Sequence, residues 1–108
     1  MLVDSNIIIY AAKPPGSKAR YFIRQHAPAV SVISKIEVLG YHQLSATEQQ
    51  LLEAFFAQTV VLPLTTIVVE AAVRLRQQRK LSLGDSIVAA TALIHQLTLA
   101  THNTNDFA

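Results

Sequence analysis

Short apolar runs alternate along the chain with longer stretches whose apolar positions recur at helical spacing. MLV, ahead of Asp4, predicts a short buried strand. GSKARYFIRQH (Gly16 to His26) predicts an amphipathic helix, entered through the turn Lys13-Pro14-Pro15-Gly16. The order then repeats, with β-branched APAVSVI (Ala27 to Ile33) as a strand and SKIEVLGYHQL (Ser34 to Leu44) as a helix capped by Ser34. SATEQQLLEAFFAQ (Ser45 to Gln58) predicts a further helix capped by Ser45, and TVVLPL (Thr59 to Leu64) a buried strand. TTIVVEAAVRLRQQRK (Thr65 to Lys80) and DSIVAATALIHQL (Asp85 to Leu97) read as helices, and TLATHN (Thr98 to Asn103) as the fourth strand. Such alternation implies a central parallel sheet covered on both faces, a three-layer α/β/α sandwich. The 108 residues suit one domain with no internal repeat or linker.

Composition adds a partner and a compartment. Apolar residues make up 51% of the chain and charged ones 15%, an excess of core that a second copy would bury, so a homodimer through Ser45 to Gln58 and Thr65 to Arg76 is expected. The absence of cysteine and of a basic-then-apolar leader points to the reducing cytoplasm. Ser86 to Asn105 carries no formal charge, but Thr91, His95, Gln96, Thr98, His102 and Asn103 make it too polar to span a membrane.

The acidic residues change the picture most. Ligands of parallel sheets bind beyond the carboxyl ends of the strands. Asp4 ends the first strand, Glu37 falls in the first turn of the helix after the second, and Asp106 closes NTND after the fourth, so three of the seven acids are expected near one edge. Asp85 opens the helix leading into the fourth strand, and topology alone does not bring it there. Helix capping accounts for each acid singly: Ser34 to Glu37, Ser45 to Glu48 and Ser82 to Asp85 have capping-box spacing, and Asp4 and Asp106 would each cap the helix or turn after it. It does not account for Asp4 between Leu2-Val3 and Ile7-Ile8-Ile9, where a buried carboxylate costs several kcal/mol unless paired or bound. The nearest cation along the chain is Lys13. His26, His42, His95 and His102 lack zinc-type spacing and read as structural or surface residues.

Four segments in order carry a family resemblance: Asp4-Ser5-Asn6, Ser34 to Glu37, DSIVAATAL (Asp85 to Leu93) and NTNDF (Asn103 to Phe107). With these the chain resembles PIN-domain proteins of the VapC-like toxin family over nearly its whole length. The resemblance implies an Mg²⁺- or Mn²⁺-dependent endoribonuclease, a homodimer and a cognate antitoxin. It also implies that Asp4, Glu37, Asp85 and Asp106 form one acidic site, with Asn6 and Thr104 as hydrogen-bonding neighbours. Proteins of this kind run on past NTxDF into a last edge strand, which the 108 residues do not include.

Carboxylates so gathered would repel, by about 3 kcal/mol for a pair 5 Å apart at an effective dielectric near 20. A hard divalent cation removes that repulsion and accepts oxygen ligands. On this scheme Asp4, Asp85 and Asp106 hold the metal, and Glu37 orients or deprotonates the attacking water. Setting the four acids aside leaves nine cations against three anions, +6 on the remaining surface, which suits RNA. Lys18, Arg20 and Arg24, with Tyr21 and Phe22 among them, and Arg74, Arg76, Arg79 and Lys80 are the candidate backbone contacts, or else a solvated helix face.

Rival sheet-based functions fit less well. A phospho-receiver needs an acid after the third strand, where the chain has Leu62-Pro63-Leu64-Thr65, and a DxD phosphatase fails at Asn6. A non-catalytic metal-binding module that engages an antitoxin or DNA is the remaining alternative.

Overall fold

The computed structural model describes residues 1–13 and 17–101. Leu2–Val3 form β1, and the chain turns at Asp4 straight into α1 (Ser5–Ala12). The sequence pattern predicts no helix there, since Ile7-Ile8-Ile9 is β-branched and loses side-chain freedom in a helix. Two effects override that cost. The Ile7 N–H donates to Asp4 Oδ1 at 3.3 Å, capping the helix, and Ile7, Ile8 and Ala12 are buried.

After α2 (Ser17–His26), β2 (Ala29–Ser31) runs without a loop into α3 (Val32–Leu39). The cap is therefore Ser31, whose Oγ accepts the Ile33 N–H at 3.2 Å, and not the expected Ser34. The reason is the sheet: β2 pairs with β3 (Val61–Leu62) only as far as Ser31 opposite Leu62, and the backbone beyond is free to coil. Ser34 becomes a buried residue inside the helix, and among the described residues its Oγ has no hydrogen-bond partner. Glu37 correspondingly lies in the second turn of α3 instead of the first, and the Ser34–Glu37 capping box does not form.

The other helix starts agree with their caps. Before α4 (Ala46–Ala57), Ser45 and Glu48 make both bonds of a capping box, and the Ser45 N–H, then its hydroxyl, hold the Glu48 carboxyl below the usual carboxylate range. Thr65 caps α5 (Thr66–Gln78), and Ser82 caps α6 (Leu83–Ile94) by accepting the Asp85 N–H at 3.1 Å. The C-terminal end of α6 falls three residues short of Leu97. Gln96 adopts a left-handed φ of 56°, and the Leu97 N–H bonds back to the Ala92 carbonyl at 2.9 Å, which closes the helix before β4 (Leu99–Ala100).

All strand pairs are parallel, in the order β3-β2-β1-β4, with Leu2 opposite Ala29 and Leu99. Alternation along β1 sends its two residues to opposite layers. Val3 packs with Ile7, Ile8, Val30, Leu52 and Phe56 beneath α1, α2 and α4, while Leu2 packs with Val88 and Ala92 of α6. On that second face α5 closes over α6 through Val68, Ala71 and Ala72 against Ile87 and Ala90. The result is the expected three-layer α/β/α arrangement. No helix among the described residues is long and apolar enough to cross a membrane.

Candidate active site

The strand order reverses at β1: β2 and β3 lie on one side and β4 on the other. Loops leaving a parallel sheet at such a point part in opposite directions and open a crevice beyond the strand ends. Asp4, half-buried, stands at that end of β1. The crevice is a cavity of about 200 Å³ lined by Asp4, Ser5, Asn6, Ile9, Glu37, Asp85 and Val88. Three elements each deliver one carboxylate. Asp4 comes from the cap of α1, Glu37 from α3 and Asp85 from the first turn of α6. The structure thus brings together Asp4, Glu37, Asp85 and Asn6 from distant parts of the chain. Asp106 and Thr104 lie outside the described residues.

Capping and the acidic site are not alternatives here. Asp4 caps α1 through one oxygen while lining the cavity, and Asp85 gives its N–H to Ser82 while its residue faces the same space. Glu37 accepts a hydrogen bond from the Ser5 hydroxyl at 2.9 Å. Among the described residues no lysine, arginine or histidine lines the cavity. The donor set is oxygen only, which suits a hard cation and not zinc. Among the described residues no three acid, histidine or cysteine side chains converge tightly enough to chelate one ion. Mg²⁺ needs only one or two carboxylates and keeps waters for its other positions, so the set fits that ion.

The basic residues stand elsewhere. Arg20 and Arg24 line a separate hollow of about 250 Å³ with Ile8, Ile23, Leu52 and Phe55, and Arg20 Nε donates to the Ala11 carbonyl at 2.6 Å. Lys18 is exposed on α2, Arg74 and Arg76 are on α5, and Arg79 is its C-terminal cap. Arg76 Nε donates to the Leu81 carbonyl at 3.3 Å. None of these six lines the acidic cavity. Sequence reasoning missed Ser5, Ile9 and Val88 as lining residues. The only signal for Ser5 was its place beside Asp4, and its bond to Glu37 depends on the helix that the isoleucine run conceals.

Comparison with known proteins agrees with this fold. A PIN domain family model matches residues 1–108. A toxin–antitoxin complex from Klebsiella pneumoniae contains a chain with 32% identity and a TM-score of 0.79, the match covering 99% of this chain and 89% of that one. FitAcB from Neisseria gonorrhoeae (22% identity, TM-score 0.77, 98% and 89% covered) and FitAB bound to an IR36 DNA fragment (20%, 0.72, 98% and 87%) share the fold. No curated protein matches the chain.

Proposed function

Because the chain belongs to the PIN-domain family, we propose that it is a divalent-metal-dependent endoribonuclease, the VapC-like toxin of a toxin–antitoxin pair acting in the cytoplasm. The observation that carries this reading is the convergence of Asp4, Glu37 and Asp85 on one cavity at the switch point of the sheet, with no basic side chain lining it among the described residues. The likeness to a chain of the Klebsiella toxin–antitoxin complex supports the toxin role and an antitoxin partner.

Asp4 and Asp85 would hold Mg²⁺ or Mn²⁺, with Asp106 as the further ligand, and Asn6 and Thr104 would orient carboxylates or substrate. A bound divalent ion supplies Lewis-acid charge at the phosphate and makes water nucleophilic near neutral pH. Glu37, exposed at the rim, accepts the proton of the attacking water as its oxygen bonds to phosphorus and the bond to the 3′ oxygen breaks. That oxygen leaves with a proton from solvent. Lys18, Arg20, Arg24, Arg74, Arg76 and Arg79 would guide the RNA backbone from outside the cavity.

The deciding assay is cleavage of total RNA by the purified chain in Mg²⁺ and in EDTA. Metal-stimulated cuts are expected, and their absence would leave the non-catalytic metal-binding module. Millimolar Mg²⁺ is also expected to raise the melting temperature by mass action, by about 2.7 kcal/mol of stability at a hundred times the Kd. Identical melts in EDTA and Mg²⁺ would count against a preformed site.

The second partner is another copy of the chain. Leu51 on α4 and Ile67, Val69 and Val73 on α5 are each at least 42% exposed, apolar surface that a second copy would bury. Light scattering at tens of micromolar should read twice the mass of one chain. A single-chain mass there rejects the dimer.

A further inference from the structure

Glu37 is an exposed side chain with three rotatable bonds, and solvent alone would disperse it. Its carboxylate is nevertheless seated from two sides. The Ser5 hydroxyl donates to Oε1 at 2.9 Å. Opposite, the carboxylate rests against the backbone of α6 at Gly84, so close that a Cβ there would fall 2.5 Å from Oε2, 3.2 Å from Cδ and 3.4 Å from Oε1. These two neighbours adjoin the other acids in the chain: Ser5 comes directly after Asp4, and Gly84 directly before Asp85.

Neither residue has a local reason to be what it is. Asp4 already fills the cap of α1, which leaves the Ser5 hydroxyl free for Glu37. Gly84 lies within α6 without a left-handed φ, and in a helix glycine is less favourable than alanine. Helix stability therefore argues against glycine at 84, and room for the Glu37 carboxylate argues for it. The seat also sets a negative charge at the positive end of the α6 dipole. We infer that Ser5 and Gly84 are positioning residues that hold the Glu37 carboxylate in the acidic cavity, one by donating a hydrogen bond and the other by lacking a side chain. This rests on the reading of Asp4, Glu37 and Asp85 as one site.

The test uses the full chain with Ser5→Ala, Ser5→Thr and Gly84→Ala. Gly84→Ala should leave the melting temperature unchanged or raised, while Mn²⁺ affinity by electron paramagnetic resonance titration and kcat fall about 10–100-fold, because the negative charge of Glu37 leaves the cavity that the cation would share and the base leaves its water. Ser5→Ala should show the same loss, and Ser5→Thr, which keeps the hydroxyl, should recover most of it. In a Glu37→Gln background Ser5→Ala should add little further loss, because the two act as a unit. Crystal structures of Ser5→Ala and Gly84→Ala should show the carboxylate swung out of the cavity. A carboxylate still in place in both, or an equal loss of Mn²⁺ affinity from Ser5→Ala with and without Glu37, overturns the inference. Wild-type chain that binds Mn²⁺ in this pattern yet cuts no RNA would defeat the nuclease reading and leave this one standing. If it binds no Mn²⁺, the crystal structures decide.

Discussion

Asp4→Asn is expected to lower Mg²⁺-stimulated RNA cleavage by more than about a hundredfold while leaving the thermal melt nearly unchanged. Groups that merely orient a metal's ligands cost about 10–100-fold when removed, so loss of an anionic ligand should cost more. Asparagine is the informative replacement because Asp4 has two tasks. Its Oδ1 accepts the Ile7 N–H at the start of α1, and asparagine caps helices about as well as aspartate. The substitution thus removes the charge and keeps the cap. Asp4→Ala would remove both, adding about 1 kcal/mol of destabilisation, and could not tell the roles apart. Cleavage that persists in Asp4→Asn at the wild-type rate would show that the cap is all Asp4 provides.

The second large effect concerns the helix that Asp4 starts. Ile8→Ala should destabilise the fold by about 2–5 kcal/mol, a substantial share of the roughly 5–15 kcal/mol that holds a domain of this size. Ile8 is 1% exposed and belongs to the cluster of Val3, Val30, Leu52 and Phe56 that fastens α1 and α4 to the sheet. It also borders the hollow between α1, α2 and α4, so its neighbours have room to relax and the lower half of the range is expected. Thermal melts monitored by circular dichroism should drop by roughly 10 °C or more, against a control at Ile36, 63% exposed, where alanine should stay within about 0.5 kcal/mol. Equal melts for the two variants would mean that α1 is not seated as described.

How much of this was legible depended on whether a signal was local. The serine caps at Ser45 and Ser82 announce helices by their own hydrogen bonds, and both hold. The helix Ser5–Ala12 was concealed because its isoleucines favour extended chain locally and are recruited to a helix by burial against Val3 and Val30. Ser34 and Ser31 are both plausible caps from local chemistry. Ser31 prevails because the strand pairing stops there, and that decision also moves Glu37 from the first helical turn to the second.

The sequence by itself determined the alternation of strands and helices, the parallel sheet, and an inventory of acids at element ends, since each rests on spacing of less than a few turns. Which acids meet was decided by tertiary structure. Residues 4, 37 and 85 converge because β1 lies between β2 and β4, and Glu37 reaches them through Ser5 and past Gly84. Strand order and close approach are set by packing between segments far apart in the chain, and no periodicity along the chain records them.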